Sequence, residues 1–281
     1  MNTAPALTAA PRYPHDLAGW VRYFRLVELP VLRRTAAQLE DLRDMEDAVD
    51  ARMVADVISA DPLLTLKLLA YTATLHRERR TTDVETAREA VVLIGITPFF
   101  KTFGPQPTIE DHLHGQAEAR SGLTAVLRRA RRAARFAMAF AAHRGDHDAP
   151  VIHEAALLHD FAEMLLWLHA PDLALEIQRR QRLDPTLRSH TVQRELLGVT
   201  LAEIQHALMV EWRLPELLIR ITDDSHAEAS QVRNVLLAMR IARHTAQGWE
   251  NPAIPDDVAD ISRLLNMSVE PTLALLHDIE R

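Results

Sequence analysis

Residues 155–163 read Ala-Ala-Leu-Leu-His-Asp-Phe-Ala-Glu and place His159 beside Asp160 in an apolar, helix-like run. A neutral imidazole nitrogen and an ionised carboxylate oxygen both suit a divalent metal ion. A catalytic metal, however, needs at least one more protein ligand and an open position for water. The function of the chain therefore depends on whether further ligands exist elsewhere in the sequence.

Helical patterning extends outward from this stretch in both directions. Among 281 residues there are only 8 glycines and no cysteine, while Leu, Ala and Arg dominate. These three are good helix formers, and no segment alternates like a β-strand. We therefore predict an all-α fold. The lack of cysteine excludes a disulfide scaffold and thiolate-bound zinc or iron–sulfur sites, and it fits a reducing compartment.

Local signals mark where several helices begin or end. Asp61-Pro62 suits an N-cap followed by the first helical turn. Thr82-Asp83-Val84-Glu85 and Thr200-Leu201-Ala202-Glu203 both match the capping-box pattern. The apolar residues between 151 and 169 predict one helix that runs through the His-Asp pair and stops at Pro171.

Glycine and proline positions indicate the domain organisation. Residues 104–109 hold one glycine and two prolines, which is typical of a boundary and of a hinge. We predict a disordered tail over residues 1–14, an N-terminal helical subdomain over 15–108 and a C-terminal helical subdomain over 109–281.

Charge and hydropathy limit the cellular context. The formal net charge of −7 gives no global basic field that would attract nucleic acid. The N-terminus lacks a charged start followed by an apolar core, so it does not match a secretory signal. No uninterrupted apolar run reaches membrane-spanning length. We expect a soluble cytoplasmic protein that does not associate with membranes.

Five sequence blocks follow one another in a familiar order. They are Leu29-Pro30, residues 57–69 around Asp61-Pro62, Ala90-Val91-Val92-Leu93-Ile94-Gly95, residues 155–160, and residues 195–203 with Trp212-Arg213-Leu214-Pro215 beyond them. In this order they resemble the HDOD domain, a branch of the HD superfamily. The resemblance implies an N-terminal helical part and a C-terminal part related to HD phosphohydrolases. It also implies a bacterial regulatory role, often beside cyclic-dinucleotide or two-component signalling, and members generally thought to lack hydrolase activity.

Departures from the active HD pattern remove the other metal ligands. Arg129 lies where active enzymes carry a ligand His, Leu201 replaces another His, and no Asp lies near Ala238-Met239-Arg240. Arginine cannot lose its proton to coordinate a metal. We therefore expect no catalytic residue, no metal and no cofactor, and we expect Arg129 to pair with Asp160 in place of an ion. The predicted degenerate site comprises His159, Asp160, Arg129, Glu163 and Leu201.

A dense basic run lies on the predicted helix before the His-Asp pair. The candidate anion-binding residues there are Arg128, Arg131, Arg132 and Arg135. We expect this cluster to wrap around its helix, and no aromatic side chains interleave with it for base stacking. A solvated helix with some ion pairs is the favoured interpretation, and nucleic acid is not an expected partner.

These observations predict a non-catalytic bacterial signalling module that binds one or more protein partners. The degenerate cleft would be either locked or occupied by a small anionic effector. Two alternatives remain open. One is a metal-dependent phosphohydrolase or phosphodiesterase with a rearranged ligand set, and the other is nucleotide or nucleic-acid binding through the helix that carries Arg128 to Arg135.

Overall fold

The computed structural model describes residues 13–79, 84–184 and 186–280. Within these ranges the chain forms helices and no β-sheet, apart from one isolated bridge between Val31 and Thr108. The predicted all-α fold is therefore confirmed. Residues 1–12 of the predicted tail lie outside the described residues. No helix of the described part is long and apolar enough to cross a membrane.

The first part of the chain forms short helices around one longer helix. These are α1 (Leu17–Phe24), α2 (Arg33–Asp44), α3 (Ala51–Ile58), α4 (Pro62–Arg79), α5 (Ala87–Ile94), α6 (Ile96–Thr102) and α7 (Ile109–His112). A 3₁₀ turn, Glu46–Ala48, follows α2.

The second part is arranged around a helix of 28 residues, α8. Its helices are α8 (Ala117–Arg144), α9 (Ala149–Leu158), α10 (Phe161–His169), α11 (Pro171–Leu183), α12 (Ser189–Leu197), α13 (Leu201–Glu211), α14 (Glu216–Ile221), α15 (Ser230–His244), α16 (Ile254–Leu265) and α17 (Val269–Glu280). A 3₁₀ turn, Asp224–His226, precedes α15.

Side-chain caps set several of these helix starts. Asp61 is fully buried, and its Oδ1 accepts hydrogen bonds from the backbone N–H groups of Leu63 and Leu64 at the start of α4. Thr200 and Glu203 form the predicted capping box of α13. Each cap satisfies backbone donors that have no partner within the helix.

Two sequence predictions about helix ends are wrong. The capping box that opens α5 is formed by Thr86 and Glu89. It lies four positions after the predicted box of Thr82 and Glu85, of which residues 82 and 83 lie outside the described ranges. The predicted single helix between residues 151 and 169 is two helices, α9 and α10, which meet at the His-Asp pair. Both helices bury apolar side chains on nearly all sides, so the sequence between them shows no change of pattern.

The apolar side chains form two clusters that share α4. Leu64 and Leu68 pack into the smaller cluster with side chains from α2, α3, α5 and α6. Leu63, Leu66 and Leu69 face the larger cluster around α8, α9 and α10. Because α4 is apolar on both sides, it joins the two halves of the molecule. The division at residues 108 and 109 remains a proposal.

The first helix packs with the larger cluster, although it precedes the smaller one in the sequence. Trp20 is fully buried, and its Nε1 donates to the backbone oxygen of Leu197 at 3.0 Å. Tyr13 donates its hydroxyl proton to Asp172 at 2.6 Å, so the end of the predicted tail is anchored. Gly198 has a φ of +76° and lies under the backbone of His15, where an added Cβ would come within 2.0 Å of the His15 oxygen.

Candidate functional site

The turn between α9 and α10 presents the His-Asp pair. Leu158 ends α9 and Phe161 begins α10, and both side chains are fully buried. The two apolar helices fix the turn between them, because their side chains belong to the larger cluster. His159 and Asp160 therefore sit at a rigid corner, with side chains that are each 13% exposed.

Arg129 of α8 meets this corner. Its Nε and Nη2 atoms both donate to Oδ2 of Asp160, at 3.0 and 2.7 Å. Nη2 also donates to Oε2 of Glu163 at 2.6 Å. The predicted contact between Arg129 and Asp160 is thus present. That it takes the place of a metal ion stays a prediction. Hydrogen bonds between charged groups are shorter and stronger than neutral ones.

His159 lies between two carboxylates. Its Nδ1 is 3.2 Å from Oδ1 of Asp160, and its Nε2 is 2.9 Å from Oδ1 of Asp224. Burial lowers the pKa of His159, but the hydrogen bonds and negative charges of Asp160 and Asp224 outweigh it and raise the pKa to about 9. The imidazole is therefore protonated at neutral pH and donates a hydrogen bond on each side.

The charges of this cluster offset one another. Burial raises the pKa of Asp160, but Arg129 and His159 dominate and hold it well below its usual range. Burial lowers the pKa of Arg129, yet Asp160 and Glu163 raise it overall. Two cations thus face the three carboxylates of Asp160, Glu163 and Asp224.

This donor set does not fit a divalent metal ion. A coordinating imidazole must be neutral, whereas both ring nitrogens of His159 are engaged with carboxylates. The guanidinium of Arg129 would repel a second cation. In the described part of the chain, no group of three or more His, Cys, Asp or Glu side chains is placed to hold a metal.

A cleft of about 1050 Å³ opens beside the ion-pair cluster. Helices α10, α11, α12 and α13 form its walls, Leu17 of α1 touches one side, and residues 222–225 border the other. Leu201 lines this cleft and supplies only hydrocarbon where a histidine is expected. The five predicted residues of the degenerate site therefore all line one cleft.

The predicted anion-binding arginines do not share this cleft. Arg132 donates to Glu280, to the Thr245 hydroxyl at 2.5 Å and to the Ala242 backbone oxygen at 3.0 Å, on the other side of α8. Arg128 and Arg135 are exposed. They are two helical turns apart and share one face of α8, whereas Arg129 and Arg132 contact residues on other sides of the helix, so the arginines are spread around it.

The structure also brings in residues that the sequence did not indicate. Asp224 contacts His159 from 65 positions away, and Gln205 lies beside the turn, with its Oε1 3.4 Å from the backbone nitrogen of Ala162. Arg243 of α15 is exposed at the edge of the cleft. No local spacing pattern connects these residues to the His-Asp pair, because tertiary packing alone brings them together.

Comparison with known proteins gives one family and several structural relatives. A model of the HDOD domain matches residues 29–228. The MmoQ response regulator from Methylococcus capsulatus has a TM-score of 0.68 and 21% identity, covering 89% of this chain and 98% of its own. A virulence factor from Campylobacter jejuni has a TM-score of 0.65 and 18% identity, covering 89% and 90%. A search of curated proteins finds no match.

Proposed function

Because the chain belongs to the HDOD family, we propose that it is a non-catalytic bacterial signalling module that acts by contacting protein partners. One observation carries this proposal: Arg129 and the protonated His159 supply positive charge to the carboxylates that a metal ion would otherwise neutralise. The site is stabilised without an ion, and hydrolysis of a phosphate ester by the metal chemistry of HD phosphohydrolases has no centre here.

The assignment to signalling draws on a structural relative. MmoQ is described as a response regulator, and its fold covers most of both chains. Identity of 21% supports a common fold. A shared role in signal transduction is part of our proposal, as is the cytoplasmic location.

The module would transmit a signal through its helical surfaces. A ligand or partner can shift such a protein only if it binds two conformations with different affinity. The segment from Gly104 to Pro107 is the proposed hinge, because it connects the last residue of the smaller apolar cluster, Phe103, to Ile109 of the larger cluster. A change in the angle between the clusters would alter the surface offered to a partner protein.

An assay of phosphodiesterase activity tests the non-catalytic part of the proposal. Purified chain is supplied with manganese and bis(p-nitrophenyl) phosphate, next to a His159→Ala variant. We expect both to give only the buffer rate. A wild-type rate well above buffer that disappears in His159→Ala would overturn the proposal in favour of a phosphohydrolase with rearranged ligands.

A pull-down from the native cell tests the protein-binding part. Wild-type chain should retain a defined protein in a salt-resistant complex. Retention of nucleic acid alone, with strong salt dependence, would contradict this and favour the exposed pair Arg128 and Arg135 as a binding face. That alternative rests on their common face on α8, and it predicts weaker binding when both are changed to Ala.

A further inference from the structure

The ion-pair cluster occupies only one end of the cleft. The total volume of about 1050 Å³ is at the top of the range for small-molecule pockets, roughly 300–1,000 Å³. The other end lies between α11, α12 and α13, away from His159. Its side chains are amide, hydroxyl and apolar groups, among them Trp167, Ile177 and Gln178, together with the imidazoles of His190 and His206 and the carboxylate of Glu203 at the exposed rim. A ligand could therefore enter without breaking the ion pairs.

Gln205 of α13 lines the cleft beside the turn that holds the His-Asp pair. It is only 7% exposed, yet it lines the cavity. Its Oε1 accepts a long hydrogen bond of 3.4 Å from the backbone of Ala162, whereas no acceptor among the described residues lies within hydrogen-bond distance of its Nε2. Among the described residues, the side-chain polar atoms buried without a partner are Glu154 Oε2, His169 Nε2 and Asn234 Oδ1, so Nε2 of Gln205 is open to the cleft. A ligand oxygen at this point would satisfy it.

The wall opposite adds further amides beside an apolar surface. Gln178 and Gln181 of α11 are three residues apart, so they project from one face of the helix into the cleft. Trp167 and Ile177 are buried next to them. A carboxamide offers both a donor and an acceptor and carries no net charge, so this wall is suited to neutral polar groups attached to an apolar body.

The charges at the first end disfavour an ionic ligand. Arg129 is engaged with Asp160 and Glu163, and His159 is engaged with Asp160 and Asp224. A charged ligand group would have to displace one of these buried partners. The cation of Arg243 is exposed at the edge, where an ion pair contributes little.

On the premise that the cleft is regulatory and not catalytic, we propose that it binds an uncharged small organic ligand. The ligand presents a carbonyl or hydroxyl oxygen to Nε2 of Gln205 and hydrogen-bonding groups to Gln178 and Gln181, and it lays an apolar ring or chain along Trp167 and Ile177. This replaces the anionic effector that the sequence suggests. Binding of such a ligand couples α11 and α13 to the turn that holds the His-Asp pair.

A fragment screen by saturation-transfer NMR in metal-free buffer tests this assignment. The probes are uncharged lactams and cyclic alcohols, each paired with a carboxylate analogue of similar size. Three variants accompany the wild-type chain. Gln205→Glu keeps the acceptor for Ala162 but loses the donor, Gln181→Leu changes the wall, and Gln38→Leu alters an exposed glutamine of α2 outside the cleft.

We expect uncharged fragments to bind wild type and Gln38→Leu equally, and to bind Gln205→Glu at least about tenfold more weakly, as loss of a buried hydrogen bond predicts. Gln181→Leu should also weaken them. Carboxylate analogues that bind as well as their neutral counterparts, or neutral fragments that bind Gln205→Glu unchanged, would overturn the assignment, as would the absence of any fragment bound in the cleft. Manganese-dependent hydrolysis would remove the regulatory premise but would leave these binding results as they stand.

Discussion

Arg129 donates two hydrogen bonds to one oxygen of Asp160, from Nε at 3.0 Å and from Nη2 at 2.7 Å. This contact ties the 28-residue helix α8 to the corner between α9 and α10. The side chains are 18% and 13% exposed, so water screens them only weakly. The arginine therefore acts as a permanent counter-charge for a carboxylate that is held in a buried corner.

Removing this counter-charge should destabilise the fold. Arg129→Ala leaves Asp160 and Glu163 buried without their cation, and we expect a loss of about 2–4 kcal/mol in the free energy of unfolding. Urea denaturation followed by circular dichroism measures it. Arg128→Ala, one residue earlier and exposed, is the matched control and should leave the unfolding curve unchanged. Equal unfolding curves for wild type, Arg129→Ala and Arg128→Ala would show that the ion pair between Arg129 and Asp160 does not stabilise the fold.

The protonated imidazole gives the fold a dependence on alkaline pH. The pKa of His159 is raised from 6.5 to about 9, so its contribution to stability is fully present below pH 6.5 and is lost as the pH rises through 9. Asp224→Asn removes one of the two carboxylates that raise this pKa, and should move the imidazole titration to lower pH. NMR of the ring protons follows it.

Glu228→Gln is the control for that titration, because Glu228 is exposed in the same segment and should leave the imidazole unaffected. An imidazole that titrates identically in wild type and in Asp224→Asn would contradict the contact between His159 and Asp224.

A second buried acid, Glu154 of α9, makes the stability of the fold depend on pH. Burial raises the pKa of Glu154 from 4.5 to about 8, and its Oε1 accepts a hydrogen bond from the backbone of Ala87 at 2.6 Å. The neutral form is the stable one, so the stability that Glu154 contributes is present below pH 4.5 and lost as the pH rises through 8. Glu154→Gln stays neutral and keeps an acceptor for Ala87.

Between pH 5 and 8 we therefore expect the melting temperature of Glu154→Gln to rise progressively relative to that of wild type, and above pH 8 the difference should level off. Thermal melts from pH 5 to 9.5 provide the comparison, with the exposed Glu250→Gln as control. A constant difference between Glu154→Gln and wild type across this range would count against a titrating Glu154.

Close packing at one glycine shapes the wall of the cleft. A Cβ added to Gly122 of α8 would lie 2.4 to 2.6 Å from ring carbons of Trp167, which also lines the cleft. Gly122→Ala should force the indole to move and cost about 1–3 kcal/mol, together with a shift in tryptophan fluorescence. Ser121→Ala, exposed one position earlier, is the control. Unchanged stability and emission would mean that the indole has another place to pack.

Local signals in the sequence account for much of the fold. The cap at Asp61 and the capping box of Thr200 and Glu203 depend on residues within one helical turn, and the structure contains both. The capping box before α5 shows the limit of such signals. Thr82 with Glu85 and Thr86 with Glu89 both fit the pattern, and only the position of the helix in the packed cluster distinguishes them.

The site was predictable only in part, for a related reason. Arg129 and Asp160 could be paired because family resemblance places both next to a missing ion. Asp224 could not be predicted, since it lies 65 positions after His159 and nothing in the intervening sequence encodes their contact. The division between α9 and α10 was missed because residues on both sides of the turn are equally apolar. The apolar pattern therefore continues through residues at which the helix is interrupted.

Metal content tests whether Arg129 and His159 together replace an ion at the corner that holds the His-Asp pair. The purified chain is dialysed against manganese, passed through a desalting column and analysed for metal by mass spectrometry, next to Arg129→Ala and His159→Ala. We expect no stoichiometric manganese in the wild-type protein. One ion retained per wild-type chain, and lost in His159→Ala, would contradict it.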